Sequence, residues 1–471
     1  MKHAVRRSSS NTSRHLIIGL TAVSLIVGAC APAPAAPAPT TAPAASQASS
    51  ASIKYTGTDP DKFSALLTTE NTQVPAELQR LASTSCASEN AALPLAIQQT
   101  PGAQIQQQIQ LLASQNSLPV MFNPTQALIV KDGALQKAGY ILDIKQALGD
   151  QGVSDQMLPG AQAVIDQLYP GVSPTIPFQY NIEGIFYNKK MFKEQGIEVP
   201  QTWDQLVASA NKLKSAGIQP FTAGGKSGWP VSRWIGAYIF RSLGGDAMAA
   251  VANKTAKLTD PGYVAGAQAI QDLGKAGLFP VGVASEDLPT AYNDLVTGKA
   301  AMEYQGTWLL SNINDPKQNT VGLDQVGLMQ IPVVSGGKGD SGAWPTNVGS
   351  PHAINAKLYG PKVGAWLKCI ALNYADSLMT NQTAYSGFKA SHPPVLAAPT
   401  PGTAPPPVPP LTTDVANYMA SAKSSVLWFE ALSPSAKFTA DAGANSLLLL
   451  NGSMTPLEYM TALQNDLDNP S

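Results

Sequence analysis

The chain has 471 residues, of which 44% are hydrophobic and 13% charged, and its formal net charge at pH 7 is −1. That length allows two folded domains. The near-zero charge argues against a nucleic-acid-binding protein, which would carry a basic face. Residues 1–30 are predicted to be a targeting segment. Four basic residues precede the uncharged run LIIGLTAVSLIVGA, which is too short for a membrane span and typical of a signal peptide.

Cys30 stands where this apolar run ends, in the sequence VGAC. A small-residue pair directly before a cysteine resembles the bacterial lipobox, in which the cysteine is lipidated and becomes the mature N-terminus. The alternative is an ordinary secretory signal with an incidental cysteine. Residues 31–51 are uncharged and rich in Pro, Ala, Ser and Thr, a composition typical of an extended spacer. The lipobox interpretation predicts an exported protein, anchored by lipid to the outer face of the cell membrane.

The remaining cysteines and histidines are few and scattered. Cys86 and Cys369 can form a disulfide in an exported protein, or both can be buried apolar residues, and the sequence leaves both possibilities open. His352 and His392 lie beyond the targeting segment, and together with two isolated cysteines they form no metal-ligand spacing. We therefore expect neither a metal nor a cofactor.

Catalytic motifs are equally scarce. The sequence GGKS at 224–227 hints at a phosphate-binding loop, but Pro220 stands where that motif needs a glycine. A glycosidase needs two acids that flank a bond, and Glu183, Asp204 and Glu303 are candidates whose convergence the sequence does not reveal. We expect a protein without enzymatic activity and keep a lipoprotein glycosidase as the alternative.

Short strands and helices alternate along the body of the chain, which predicts an α/β fold. The segment IFYNKKMFKEQGI, residues 185–197, reads as a strand that turns at once into a short helix. Thr202 and Gln205 then form a capping box for the next helix. Trp203 begins an apolar face at helical spacing, and Gly217 ends the helix as a C-cap.

A second unit, AYNDLVTGKAAMEYQGTWLLSNI, spans residues 291–313. It predicts a helix closed by Gly298, a buried strand AAMEY, a turn at 305–307 and another helix opened by Trp308. A tryptophan placed directly after a strand end has one face available to a cleft, although a core position is the alternative. Residues 393–410 are proline-rich and cannot form a helix or strand interior, so we expect a surface loop there.

Four segments carry a family resemblance. EGIFYNKKMFKEQGIEVPQTWDQLVASANKLKSAGIQPFTAGGKSGWP resembles the family 1 extracellular solute-binding proteins of ABC transporters, the carbohydrate-binding group. VTGKAAMEYQGTWLLSNI, VGLMQIPVVSGGKGDSGAWPTNVGSPHAINAK and SMTPLEYMTALQNDLD resemble later segments of that family in the expected order. Together they cover most of residues 180–471. Residues 52–130 depart from the family pattern, with SIKYTG in place of a clear opening strand.

The resemblance implies a two-lobe periplasmic-binding-protein-like fold of type II, with a ligand cleft and a hinge between the lobes. The first lobe would comprise residues 52–183 and 350–421, and the second 184–349 and 422–471. Such a protein captures a sugar or oligosaccharide, closes by hinge motion and delivers the ligand to the permease of an ABC importer. We expect a monomer. A binding protein for a non-sugar solute, such as a polyol or peptide, is an alternative.

A sugar presents hydroxyl groups and flat C–H faces, so its site needs aromatic platforms and a few neutral or acidic hydrogen-bonding groups. Trp203 and Trp366 lie inside helical patterns and are predicted core residues, as are Tyr187 and Phe192. By resemblance, Trp308 occupies the stacking position after the Gly-x pair, and Trp428 follows the final crossover. The expected polar contacts are Asn181 and Asn347 beside the crossovers and Asn123 at the end of a first-lobe strand. The expected ligand contacts are Trp308, Trp428, Trp344, Trp229, Trp234, Asn181, Asn347 and Asn123.

Overall fold

A computed structural model describes residues 54–69, 71–382, 384–392, 408–421, 424–433 and 435–469. The predicted targeting segment with Cys30, the spacer at 31–51 and most of the proline-rich segment lie outside these residues. Within them, no helix is both long enough and apolar enough to cross a bilayer.

The described residues form an α/β protein. The strands are β1 Phe63–Thr68, β2 Leu95–Thr100, β3 Met121–Phe122, β4 Asn181–Asn188, β5 Gln219–Thr222, β6 Ala300–Gly306, β7 Val326–Met329, β8 Ala343–Asn347, β9 Ala353–Ile354 and β10 Ser424–Val426. The α-helices are α1 Gln73–Ser83, α2 Ala87–Ala92, α3 Gly102–Ser114, α4 Gln126–Ile129, α5 Ala134–Lys137, α6 Ile144–Asp150, α7 Pro159–Leu168, α8 Lys189–Glu194, α9 Trp203–Ser215, α10 Trp229–Leu243, α11 Ala247–Ala252, α12 Pro261–Lys275, α13 Leu288–Val296, α14 Leu310–Ile313, α15 Pro361–Gln382, α16 Pro410–Ser421, α17 Ala436–Leu450 and α18 Pro456–Asp468.

The strands form two sheets. The first has the order β2-β1-β3-β9, with β1 parallel to both neighbours and β9 antiparallel to β3. The second has the order β10-β8-β4-β6-β5, and β7 also pairs with β4. Within it β4 runs antiparallel to β6, β7 and β8. Helices connect the parallel strands, as parallel pairing requires.

Each sheet has its own hydrophobic core. The core of the first sheet draws its buried residues from 63–180 and 348–388, and the core of the second from 185–343 and 426–463. The chain therefore passes three times between the two cores, near 181, near 347 and between 388 and 426. This is the two-lobe type II fold, and the prediction of the fold class is confirmed.

A third, smaller cluster joins elements around the crossovers. It contains Ile182 and Phe186 of β4, Trp344 of β8 and Val415 of α16. Helix α16 falls in the segment expected to belong to the first lobe, yet it packs against β7 of the second sheet.

Local predictions hold well in the second lobe. Thr202 and Gln205 form the complete capping box of α9, and Gly217 follows that helix with a φ of +77°. Trp203 and Trp366 are buried core residues, as predicted. The first strand among the described residues is β1, FSALLT, and residues 54–57 of SIKYTG are not part of a strand. The segment FSALLT has the apolar residues that a central strand buries.

Cys86 and Cys369 form a disulfide that joins the start of α2 to α15. Both cysteines belong to the core of the first sheet. We expect thiol titration of the denatured, unreduced chain from residue 31 onward to find no free thiol. Reduction should lower the melting temperature, because the bond closes a loop with a sequence separation of 283 residues. A Cys86→Ala/Cys369→Ala variant provides the control, since its melting should not respond to reductant. Two free thiols in the parent protein would contradict the disulfide.

Candidate functional site

The three crossovers bring polar side chains to one place. Glu183 lies on β4, Asn347 is the last residue of β8, and Glu430 lies in the 3-10 helix Phe429–Leu432 that follows β10. Arg233 of α10 reaches into this group. Its side chain is 13% exposed, against 0% for Glu183 and 5% for Glu430. Charges removed from water to this extent require partners inside the protein.

Arg233 and Glu183 are the centre of the network. Arg233 Nη1 donates to Glu183 Oε1, and Arg233 Nε lies 3.3 Å from Glu430 Oε2. Glu183 Oε1 also accepts a hydrogen bond of 2.8 Å from Asn347 Nδ2, and Glu183 Oε2 accepts one of 3.1 Å from the Tyr304 hydroxyl. One arginine thus links the first and third crossovers, and one carboxylate links the first and second.

The ionisation of these groups follows from their neighbours. Burial alone would lower the pKa of Arg233, but Glu183 and Glu430 together outweigh burial, so the pKa is raised above its ordinary value. Burial raises the pKa of Glu430, and Arg233 offsets part of that rise. The guanidinium therefore stays charged, and its charge is shared between two carboxylates.

Three indole rings surround the same guanidinium. Arg233 Cζ lies 4.5 Å from the ring centroid of Trp229, 5.5 Å from that of Trp428 and 5.9 Å from that of Trp308. Trp229 and Arg233 are one turn apart on the same face of α10, and Trp229 meets Trp308 edge-on at 5.8 Å. We call Trp229, Trp308 and Trp428 the indole cluster. Each of the three is only partly buried.

The end of β6 determines how Trp308 is placed. Gly306 of β6 lies opposite Glu183 of β4, and the short 3-10 helix Thr307–Leu309 follows directly. The indole of Trp308 lies against Gly306, where a Cβ atom would collide with the ring. Trp308 Nε1 donates to Gln305 Oε1 over 2.9 Å. A glycine at this strand end therefore gives the indole the space that it occupies.

We expect Gly306→Ala to weaken ligand binding while changing global stability little. The backbone φ of Gly306 is −98°, which any residue adopts, so the added methyl acts mainly by displacing the Trp308 ring. Calorimetry should detect the loss of affinity, and thermal unfolding should detect a small change. Gly149→Ala on α6 is a matched control, because an added Cβ there meets no neighbour within 4 Å. Equal affinities for Gly306→Ala and the parent would contradict this role.

A chain of neutral hydrogen bonds connects the indole cluster to the ion pairs. The Thr307 hydroxyl donates to Asn181 Oδ1 over 3.1 Å, and Asn181 Nδ2 donates to Asn347 Oδ1 over 3.2 Å. Asn347 in turn donates to Glu183. Asn181 and Asn347 are register partners across β4 and β8. The two side-chain amides therefore fix each other's orientation, and Asn347 in turn positions the Glu183 carboxylate.

The structure places two of the expected tryptophan contacts inside hydrophobic clusters. Trp234 is fully buried in the core of the second sheet, where its ring meets Phe221 at 5.1 Å and Trp203 at 6.1 Å. Trp344 is also buried and stacks on Tyr418 at 5.1 Å, within the small third cluster. Neither side chain belongs to the indole cluster, because each ring is packed among the buried residues of a hydrophobic cluster.

Asn123, the expected first-lobe contact, is also placed differently. It is buried, its Nδ2 donates to the Pro351 carbonyl over 2.8 Å, and its Oδ1 accepts from the Thr68 amide over 3.2 Å. Both ends of the side-chain amide are thus used to tie the end of β1 to the segment after β8. Asn123 therefore positions this edge of the sheet, and its contact with ligand stays a prediction.

Sequence reasoning missed the charged centre of the site. The motifs do not single out Arg233 or Glu430, and they present Glu183 only as a candidate glycosidase acid. For Arg233 and Glu183, the sequence does contain a signal, which is an isolated charge in an otherwise apolar helix or strand. Arg233 is the single charged residue in WPVSRWIGAYIF, and Glu183 is the single charged residue in NIEGIFYN. An isolated charge within an apolar pattern predicts a buried, partnered ion.

A cavity of about 670 Å³ borders the third crossover beside Trp428. Its lining includes Leu168 from the first lobe, Met248 and Asn253 from the second, and Leu427 next to Trp428. Trp428 itself packs against the core of the first sheet. The volume is within the range of about 300–1,000 Å³ that is common for small-molecule sites. Trp229, Trp308 and Trp428 line neither this cavity nor a second, mainly apolar one of about 550 Å³.

Potential metal ligands also come together in the first lobe. Among the described residues, Cys86, Glu89 and Cys369 are close enough to share an ion. The two sulfur atoms are bonded to each other, so neither is a thiolate available to a metal.

Comparison with known proteins agrees with this architecture. Residues 94–368, more than half of the chain, match the family described as bacterial extracellular solute-binding protein. A multiple sugar-binding protein from Streptococcus mutans serotype c is 30% identical over 156 residues, which are 30% of this chain and 36% of that protein. An sn-glycerol-3-phosphate-binding periplasmic protein from Pectobacterium atrosepticum is 30% identical over 155 residues, 31% of this chain and 33% of that protein. The chain thus spans about a third of the length of these relatives.

Solved structures match over a longer stretch. A chitin oligosaccharide binding protein has a TM-score of 0.71 and 24% identity, covering 87% of this chain and 99% of its own. A structure from work on xylan utilisation by the thermophilic bacterium Caldanaerobius polysaccharolyticus also has a TM-score of 0.71, with 22% identity over 86% of this chain and 99% of its own. At these identities the similarity concerns the fold. Together with the matched family segment, it establishes that the chain belongs to the bacterial extracellular solute-binding protein family.

Proposed function

We propose that this protein captures a sugar or oligosaccharide between its two lobes and delivers it to an ABC importer. The observation that carries the proposal is the convergence of three partly exposed indole rings on one hydrogen-bonded network at the crossovers. Indole faces suit the C–H faces of a sugar ring. The asparagine amides and carboxylates beside them suit its hydroxyl groups.

The named relatives support the same chemistry. They include proteins that bind multiple sugars and chitin oligosaccharides, and a neighbouring structure holds stachyose. In this proposal the first lobe is residues 52–183 and 350–421, and the second is 184–349 and 422–471. Ligand closes the lobes by hinge motion at the crossovers, and the closed form is what the permease recognises. The protein works as a monomer.

A ligand panel tests the proposal directly. Thermal shift followed by calorimetry should use xylotriose, chitotriose, raffinose, stachyose and galactose, with ribitol and amino acids as the non-sugar arm. We expect at least one saccharide to raise the melting temperature and bind with one-to-one stoichiometry. A protein stabilised only by amino acids or ribitol would contradict a saccharide receptor.

We propose that no bond of the ligand is broken. Glu183 and Glu430 are both ion-paired with Arg233, so both carboxylates are already engaged within the protein. Glu303 is fully buried and Asp204 lies on the exposed side of α9, so these acids do not flank a common bond. Chromatography after prolonged incubation should recover the oligosaccharide intact. Accumulation of shorter products would favour a glycosidase instead.

The lipid anchor is a proposal that rests on the sequence around Cys30. In this proposal Cys30 carries lipid, and residues 31–51 hold the folded body away from the membrane on the extracytoplasmic side. We expect Cys30→Ser to abolish lipid labelling and to leave the precursor unprocessed by lipoprotein signal peptidase. Labelling equal to that of the parent protein would refute the anchor. Cys369→Ser, which leaves VGAC intact, is the matched control and should keep the label.

A further inference from the structure

We propose that the site accepts neutral saccharides and rejects phosphorylated or acidic ones, with the Arg233–Glu183–Glu430 group determining this specificity. The inference rests on the proposed function and narrows its ligand class. It separates this protein from the relatives named as sn-glycerol-3-phosphate-binding proteins, which are 30% identical to it over 155 and 148 residues.

The charges of the group leave no cation for an anionic ligand. Arg233 is the central cation, and Glu183 and Glu430 each bond one of its nitrogen atoms. With both carboxylates ionised, the group carries one net negative charge. With one of them protonated, it is neutral. In either state the positive charge is already matched, whereas binding of phosphate or carboxylate groups generally uses uncompensated arginine.

The helix N-terminus beside the site offers no substitute. The first turn of α10 begins at Trp229, and its second residue is Pro230, which has no N–H. The amides of Val231 and Ser232 both donate to the Gly228 carbonyl, over 3.0 and 3.4 Å. The free N–H groups that make helix N-termini into anion sites are therefore largely absent here.

The rest of the site also suits a neutral ligand. The indole cluster presents aromatic faces, whose quadrupole is negative and repels an anion but attracts the weakly positive C–H groups of a sugar. The neighbouring donors and acceptors are the amides of Asn181, Asn347 and Gln305 and the hydroxyl of Thr307. These groups carry no charge, so they form neutral hydrogen bonds of the kind that sugar hydroxyls form.

The test uses matched ligand pairs with the full-length mature protein. Glucose is compared with glucose 6-phosphate, glycerol with sn-glycerol 3-phosphate, and the best neutral oligosaccharide of the panel with its acidic counterpart. We expect the neutral member to bind at least about 100-fold more tightly, because placing like charges together costs several kcal/mol. Tighter or equal binding of the phosphorylated member would overturn the inference and leave a solute receptor of another ligand class. Failure of every neutral saccharide would overturn the proposed function itself and this inference with it.

A charge-neutralising variant gives an independent measurement. Glu430→Gln removes one negative charge and frees part of Arg233, so the preference for the neutral over the anionic member of each pair should fall by about tenfold or more. Glu194→Gln makes the same chemical change in an exposed ion pair on α8 and should leave the preference unchanged. An unchanged preference in a folded Glu430→Gln protein would contradict the role of this group.

Discussion

Trp308→Ala should weaken saccharide binding by about 30-fold to nearly 1,000-fold, which corresponds to about 2–4 kcal/mol. The indole lies against Gly306 and is partly exposed, and it is the member of the indole cluster that the turn after β6 holds most directly. Removing it deletes both the buried apolar area and the aromatic contact to a sugar ring. Calorimetry with the best saccharide of the panel measures the loss.

The stability of the same variant discriminates between a binding role and a packing role. Removing a ring that lies at the edge of an open site should lower the free energy of unfolding only slightly. The melting temperature of the ligand-free variant should therefore fall only modestly. Trp234→Phe is the control, because Trp234 is fully buried. It should lower stability and preserve affinity. A Trp308→Ala protein that melts much earlier but binds saccharide normally at low temperature would show that Trp308 is a core residue.

Arg233→Met should lower the free energy of unfolding by about 3–5 kcal/mol at neutral pH and abolish tight ligand binding. The variant keeps much of the side-chain volume but leaves Glu183 and Glu430 buried without a cation, which is the costly way to break a buried ion pair. Denaturant unfolding followed by circular dichroism measures the first effect and calorimetry the second. Lys190→Met, which breaks an exposed pair with Glu194, should change stability by less than about 0.5 kcal/mol.

The pH dependence of Arg233→Met provides a signature of unpaired carboxylates. Without the guanidinium, burial and the neighbouring Glu183 raise the folded-state pKa of Glu430 above its unfolded value. The destabilisation is then full above the folded pKa and is relieved as pH falls through it. We therefore expect the stability gap between Arg233→Met and the parent to narrow toward acidic pH. Adding Glu430→Gln to Arg233→Met should recover part of the loss at neutral pH. A gap that is independent of pH would contradict this account.

Local features of the second lobe could be predicted from the sequence because short-range physics determines them. The capping box of Thr202 and Gln205 needs residues three apart, and the strand AAMEY shows its burial in its composition. Gly298 follows α13 with a φ of +77°, the conformation that favours glycine after a helix. The family resemblance also arises from such local segments taken in order.

The facing of side chains around one helix was harder to predict. Trp229 and Trp234 both lie on α10, and both were expected to contact ligand. Five residues on a helix correspond to a rotation of roughly 140°, so one ring reaches the indole cluster and the other enters the core. Arg233, one turn after Trp229, shares its face. Periodicity indicates which residues share a face, but only packing decides which face meets the cleft.

What the sequence by itself determined was the family, the α/β class and the caps and strands that neighbouring residues specify. What only the tertiary structure decided was which distant groups meet. Arg233 contacts Glu430 across 197 residues and Glu183 across 50, and Cys86 bonds Cys369 across 283. The physical reason is that such contacts depend on the register of three crossovers and the packing of two separate cores. These long-range constraints leave no periodic or local trace in the chain, so the charged centre of the site emerged only from the fold.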